Sequence, residues 1–412
     1  MMIFRLAYRN IRTNLRRSII TVLAIAMGLM VLILSGTLRT GQYDQMINSG
    51  VSQLAGHVVI QKKGFQEERE LEMFVEGHSV LRAQLKEEFP AATITTRSFV
   101  GGLLTSTAGS SFATLTAIDP IPELEISEFK DNIIKGEWLD DDQKGILIGQ
   151  NMADALGLDY ETRLNQKLVL NTSINGEMTS QLFRVKGIFR TGVEEMDSFT
   201  GYIHYKAAEK LLGKNDVAHQ LALHFPLVQQ SEQATQDARE RIETETLDVL
   251  SWQEALPEIV AMIEMDNVSN EIINLILFFI VAMGILNTML MSVLERTQQF
   301  GVMLAIGMKA DALIKMILIE ALMLGLFGVV LGLVLGVAVS YPLVENGLDF
   351  SEAMGENYSF SGAVTSAVMY GKYNWALNAK YVLIAMIFTL ISAIYPAGKI
   401  RKLKAIDAMR HH

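Results

Sequence analysis

The sequence predicts an α-helical membrane protein with four transmembrane helices and a large extracytoplasmic α+β domain inserted between helices 1 and 2. Three observations carry this. The chain has 412 residues, 50% hydrophobic and 19% charged, which suits spans plus a sizeable water-soluble domain. Long apolar runs stand at 19–38, 272–294, 312–341 and 381–397. At about 1.5 Å per residue, twenty residues cross roughly 30 Å of hydrocarbon. Charge is uneven: residues 1–17 hold five arginines and no acid, and residues 399–410 hold five Lys/Arg and one acid. Residues 41–271 hold 19 Lys/Arg against 37 Asp/Glu.

The bias of basic residues to the cytoplasmic side orients the chain. Residues 1–17 form a cytoplasmic amphipathic helix. Arg5, Arg9, Arg12 and Arg16 recur at helical spacing, with Phe4, Ala7/Tyr8, Ile11 and Leu15 on another face. Such a helix is either a plain topology signal or lies on the inner leaflet with its cations at anionic headgroups. Span 1 covers 18–40, and its apolar run exceeds the ~7–15 residues of a signal peptide, so it reads as an anchor. The external domain covers 41–271, span 2 is 272–294, and 295–308 returns to the cytoplasm. Span 3 is 309–342, an external loop follows at 343–379, span 4 is 380–398, and 399–412 is a cytoplasmic tail.

Within 41–271, β-branched content and alternation predict strands at 57–61, 92–99, 111–119, 145–149, 167–170, 181–189 and 219–225. Helices are predicted at 79–89, 151–158, 205–213 and 231–245. Asn175-Gly176 is a hairpin-turn signal between two strands. Ser251 and Glu254 fit a capping box opening a helix that continues past Pro257 into span 2. Span 1 likewise runs on without a proline, so two helical stalks are expected.

Motifs for chemistry are lacking. There is no G-x-x-x-x-G-K-[ST] phosphate loop, no G-x-S-x-G and no H-E-x-x-H. There is no cysteine, which excludes disulfides, thiolate metal sites, a cysteine nucleophile and a lipobox for N-terminal lipidation. His57, His78, His204, His219 and His224 are scattered and read as structural. His219 and His224, five apart on one strand, face opposite sides. The acidic clusters Asp140–Asp142 and Glu194–Glu195 read as solvated loops, so no metal and no catalytic residue are expected. Basic patches with interleaved aromatics are absent from the exterior, which argues against nucleic acid.

The spans say more. Gly325, Gly328, Gly332 and Gly336 give span 3 a face for close helix approach, within the chain or against a second protomer. Glu320 lies one to two turns inside that span. It is a functional candidate by position, or an interfacial residue of a helix too long for the hydrocarbon core.

Residues 287–336, "NTMLMSVLERTQQFGVMLAIGMKADALIKMILIEALMLGLFGVVLGLVLG", resemble the signature of FtsX/MacB-type ABC transporter permeases, the type VII ABC superfamily. Glu295-Arg296, Gly301, Ala305, Gly307 and Glu320 fall at matching places. "LAYRNIRTNLRRSIITVLAIAMGLMVL" (6–32) and "YPAGKIRKLKAIDAMR" (395–410) are similar to the family's first and last span boundaries. Residues 146–170, 185–198 and 249–259 look like the lipoprotein-releasing LolC/LolE branch. The segment between spans 3 and 4 is longer than that branch leads one to expect.

The resemblance implies a permease subunit working by mechanotransmission in a bacterial inner membrane, with a MacB-like periplasmic core. It implies a cytoplasmic ABC ATPase dimer that binds ATP and Mg, and a second permease protomer. On this resemblance the chain itself is expected to hold no cofactor and to be a transport subunit, not an enzyme. Lipoprotein release to a periplasmic carrier comes first. A MacB-like efflux permease with a periplasmic adaptor, or an FtsX-like regulator of a cell-wall hydrolase, are the alternatives. In this frame Glu295, Arg296, Phe300, Gly301, Met303, Leu304, Ile306 and Gly307 form the ATPase-coupling segment, with Phe300, Met303, Leu304 and Ile306 as its apolar face; the alternative is a helix lying on the inner leaflet. Gly307 is expected to end that helix in a left-handed conformation. The hairpin at Asn175 and Gly176 is the expected carrier-docking element.

Overall fold

The computed structural model describes residues 2–400 except 127, 175, 227–228, 243 and 361. Asn175 and residues 401–412 of the expected tail therefore lie outside the described residues. The chain divides into two compact units. One comprises Met1–Asp44, Ile263–Leu348 and Met369–His412; the other comprises Gln45–Met262 and Asp349–Val368.

The helical unit rests on α1 (Met2–Thr13), α2 (Leu15–Gln53), α3 (Pro257–Glu295), α4 (Thr297–Ala305), α5 (Ala310–Glu345) and α6 (Trp375–Lys399), of which residues 45–53 of α2 and 257–262 of α3 are counted in the other unit. Four of these, α2, α3, α5 and α6, are long and apolar enough to cross a membrane. With 39 residues each, α2 and α3 measure roughly 58 Å, nearly twice a hydrocarbon thickness. The capping box does form at Ser251 and Glu254, but it opens only the one-turn helix Trp252–Ala255. Leu256 leaves helical geometry (φ −123°, ψ 58°) and α3 starts afresh at Pro257. The reason is local. Proline disfavours helix in the residue before it and suits the first helical position.

The glycine face of α5 is occupied from within the chain. A Cβ on Gly328 would meet Ile25 Cβ at 2.7 Å, and one on Gly336 would meet Ile33 Cβ at 2.9 Å. On Gly332 it would lie 2.9 Å from the Ala26 carbonyl oxygen, a backbone atom that no rotamer change can move. Gly325 faces Met386 and Thr389 of α6 instead, at 3.1 Å. Gly332→Leu is expected to cost about 1–3 kcal/mol by overpacking and to lower the thermal midpoint of the detergent-purified chain. Gly284→Leu is the control, because a Cβ there meets nothing within 4 Å. Equal midpoints for the two variants would contradict the close approach.

In the second unit ten strands form one sheet. In chain order they are β1 (Val58–Lys62), β2 (Thr93–Thr105), β3 (Ser110–Ile118), β4 (Ile133–Gly136), β5 (Gly145–Gly149), β6 (Lys167–Ile174), β7 (Glu177–Phe189), β8 (Thr200–His204), β9 (Gln220–His224) and β10 (Leu247–Ser251). The order is β10-β1-β9-β2-β3-β8-β5-β7-β4, with β6 bridging β2 and β7. The pairings β2-β3-β8-β5-β7-β6-β2 thus close a six-stranded ring. Its filling includes Leu104, Leu115, Ile146, Ile148, Leu170, Phe183 and Ile203, all fully buried. The leaf β10-β1-β9-β2 carries a second core, with Ile60, Leu85, Leu221 and Ala238. Strands β4, β8 and β10 escaped the sequence pattern. None of them holds three consecutive apolar residues, as the equally short β1, β5 and β9 do.

The stretch expected as a loop at 343–379 contains structure of its own. Asn357–Phe360 and Ala363–Ser366 pair as a hairpin, and 349–368 belongs to the sheet unit. Val364 packs in a cluster with Ile118, Phe129, Trp138 and Phe189. The Gln53 amide, at the end of α2, donates to the Val364 carbonyl and accepts from its N–H, both at 2.8 Å. Asn357 donates to the Thr191 carbonyl at 2.7 Å. Nearby, the buried Arg97 bonds the Ser52 carbonyl at 2.7 Å and Glu123 at 2.6 Å. A cation at a helix C-terminus complements its orphan carbonyls.

His57 and His224 pack inside this unit. His57 Nδ1 accepts the Phe225 N–H at 3.0 Å, and the His57 and His224 rings meet edge-on at 6.2 Å. Burial lowers His57 to about 4 and pushes His224 well below its ordinary value. Both are neutral when folded, so the unfolded chain takes up protons first as pH falls. Their contribution to stability is therefore full above about pH 6.5 and falls as pH drops from there toward 4. Near-UV circular dichroism during thermal unfolding at pH 7.5 and 5 should show the midpoint falling with acid. His224→Gln should flatten that slope; a slope unchanged in the variant would contradict this assignment.

Candidate coupling site at residues 294–320

Two charged neighbours at the end of α3 reach in different directions. Glu295 pairs with Arg17 of α2 at 2.6 Å. Arg296, the residue before α4, turns inward and pairs with Glu320 of α5, its Nη1 lying 3.1 and 3.3 Å from the two carboxylate oxygens. Both side chains of this second pair are buried. The Arg296 guanidinium also lies 5.1 Å from the Phe300 ring centroid. The short helix α4 is thus braced to two long helices by two adjacent residues.

Gly307 closes α4. Its φ of +101° lies in the left-handed region that favours glycine. The Gly307 N–H bonds the Leu304 carbonyl and the Met308 N–H bonds the Met303 carbonyl, each at 3.0 Å. This is a Schellman ending. Lys309 then takes extended geometry and α5 begins at Ala310.

The apolar face expected for α4 is divided. Phe300 is 0% exposed and sits in the chain's own core with Ala7, Val293, Leu313, Met316 and Ile317. Gly301 is buried, and Met303 and Leu304 are half-buried against the same cluster. Of the four residues assigned to an outward face, only Ile306 is outward, at 82% exposure. The reason is angular. At roughly 100° per residue, positions 300, 303 and 304 form one stripe, and 306 lies well off it. The outward face is Gln298, Val302, Ala305 and Ile306, all exposed. Val302 was missed because a valine inside an apolar run carries no sign of direction. The pairing of Arg296 with Glu320 was missed because the two are 24 residues apart and only the packing of α4 and α5 joins them.

Elsewhere, Gly176 lies in the turn where Ile174 faces Glu177, with φ +79° and open space around it. Met178 beside it is strongly exposed. Among the described residues no group of three or more His, Asp or Glu is placed to hold a metal ion.

Residues 18–244 match the MacB-like periplasmic core domain, and residues 271–405 match the FtsX-like permease C-terminal domain. The chain belongs to the FtsX/MacB-type ABC transporter permeases. Related permeases include one from Methanocaldococcus jannaschii, 23% identical over 70% of this chain and 69% of its own length. The lipoprotein-releasing system transmembrane protein LolC of Xylella fastidiosa is 20% identical over 96% of this permease and 94% of itself. The macrolide export ATP-binding/permease protein MacB of Bdellovibrio bacteriovorus is 27% identical over 56% of this permease, but over 34% of itself.

Proposed function

We propose that this permease transmits mechanical work between a cytoplasmic ABC ATPase dimer and an external domain, and that its task is the release of lipoproteins from the outer leaflet of the inner membrane. The observation that carries the coupling half is the exposed face of α4, where Val302 and Ile306 are uncovered among the described residues, on a turn braced by the Arg17–Glu295 and Arg296–Glu320 pairs. An apolar helix face of that kind suits insertion into a groove of a partner. ATP and Mg bind the partner, since this chain carries no phosphate loop. The basic ends face the cytoplasm and the sheet unit faces the periplasm. The permease works with a second permease protomer, and α2 and α3 serve as stalks.

The lipoprotein half rests on likeness to LolC along nearly the whole chain. The cargo passes to a periplasmic carrier, for which the hairpin carrying Gly176 and the exposed Met178 is the docking element. The test is reconstitution with the ATPase in vesicles carrying a lipoprotein. ATP-dependent transfer to a carrier is the expected result, and no transfer with any lipoprotein would overturn it. The MacB-like core match supports a second reading, efflux with a periplasmic adaptor. A deletion strain with altered drug susceptibility and normal lipoprotein sorting would favour that reading. A cell-wall hydrolase co-purifying with the external domain would favour the regulatory one.

A further inference from the structure

The N-terminal helix α1 has three sectors where a helix at a protein–water boundary needs two. Ala7 is fully buried among Phe300, Leu313 and Met316, with Leu6 against the same cluster and Ile11 against the bundle. Ser18 Oγ donates to the Ile11 carbonyl at 3.0 Å and fixes the corner between α1 and α2. At about 100° per residue, Arg5, Arg9 and Arg12 lie on the side opposite Ala7. All three are exposed, as is Arg16 at the start of α2. Among the described residues none of these four makes an ion pair, whereas Arg17 is held by Glu295. Between the two sectors lie Phe4 and Tyr8, 55% and 52% exposed. The exposed apolar surface continues along α2 through Leu15, Ile19, Ile20 and Leu23.

Water does not suit the aromatic sector, and hydrocarbon does not suit the arginines. The boundary between headgroups and acyl chains suits both, with aromatic rings at the interface and guanidinium groups at phosphates. The charge is of one sign, so the complementary surface is anionic.

We propose that α1 is a binding site for anionic phospholipid headgroups, engaged by Arg5, Arg9, Arg12 and Arg16 with Phe4 and Tyr8 as the interfacial anchors. Because Ala7 and Phe300 share one core cluster, lipid held on α1 also steadies the seat of α4. Anionic lipid is then a requirement for firm coupling. The inference rests on the chain's place in a membrane and not on its cargo, so loss of the lipoprotein reading leaves it standing.

The experiment is thermal unfolding of the full purified chain in detergent micelles, with added phosphatidylglycerol or phosphatidylcholine. Phosphatidylglycerol should raise the midpoint by about 5 °C at low salt, less at high salt, and phosphatidylcholine should not. The variant R5Q/R9Q/R12Q/R16Q should lose the difference between the two lipids. Equal effects of the two lipids on the parent chain, or an unchanged preference in the variant, would overturn the proposal. If the arginines serve instead to hold the ATPase, the variant loses co-purification with it and keeps the lipid preference, which also overturns the proposal. Should the quadruple variant not fold, Tyr8→Trp in bilayer discs supplies a second reading. Its emission, after subtraction of the parent's, should be quenched by lipid brominated near the headgroup; absence of quenching would count against the site.

Discussion

Ile306→Asp is expected to leave the permease folded and to uncouple it from its ATPase, cutting ATP-dependent work by at least about 30-fold. Ile306 is 82% exposed, so a carboxylate there meets water in the isolated chain and changes its stability little. In a groove of a partner the same carboxylate would be buried without a counter-charge. Truncating a central apolar anchor alone costs about 2 kcal/mol or more, which is roughly that factor. Val302→Asp should act in the same direction, more weakly, from a residue that is 44% exposed. Phe300→Asp should behave otherwise. Phe300 fills the chain's own core, so Phe300→Asp removes a fully buried ring and buries a second carboxylate beside Arg296, which Glu320 already neutralises. Yield and thermal midpoint of the purified variants separate the two classes, and ATPase co-purification with transport measures the coupling. If Ile306→Asp keeps full co-purification and full ATP-dependent work, the outward face is not the coupling surface.

Arg296→Met is expected to cost about 3–5 kcal/mol of stability, because it leaves the buried Glu320 without its counter-charge. Glu320→Leu should cost about as much for the mirrored reason. The double variant R296M/E320L should recover most of the loss, since an apolar pair replaces a buried ion pair at little cost. Glu295→Gln should scarcely matter, because the Arg17–Glu295 pair is half open to water. Thermal midpoints in detergent of the parent, the two single variants of the pair and the double variant form a double-mutant cycle, with Glu295→Gln as the comparison outside it. A double variant no better than the sum of the singles would show that the pair does not act as a unit. A recovered fold with poor transport would show that the pair also passes force from α4 to α5.

The contrast between Phe300 and Ile306 shows why the site was only half legible. Charges flanking a short apolar helix mark where the chain turns, and Gly307 marks where that helix ends. Both signals are local, carried by residue type and left-handed geometry. Which side of the helix faces the chain's own core depends on α1 and α5. Their contributions, Ala7 and Leu313–Ile317, are close in space and hundreds of residues apart in order. The same holds for the glycine face of α5. Its spacing foretold close approach, but α2 takes up Gly328, Gly332 and Gly336 inside one chain.

The amino-acid sequence by itself determined the four apolar helices, the long strands, the hairpin at 174–177 and the family. These rest on run length, periodicity and short-range turn chemistry, all of which act within a few residues. Tertiary structure alone decided the closed six-stranded ring, the docking of 349–368 on the sheet unit, the direction of α4 and the partners of Arg296 and Arg17. Each of these is a choice among faces that are equally apolar or charges that are equally free until a distant element covers one of them. That covering is a long-range packing event, and no window of sequence contains it.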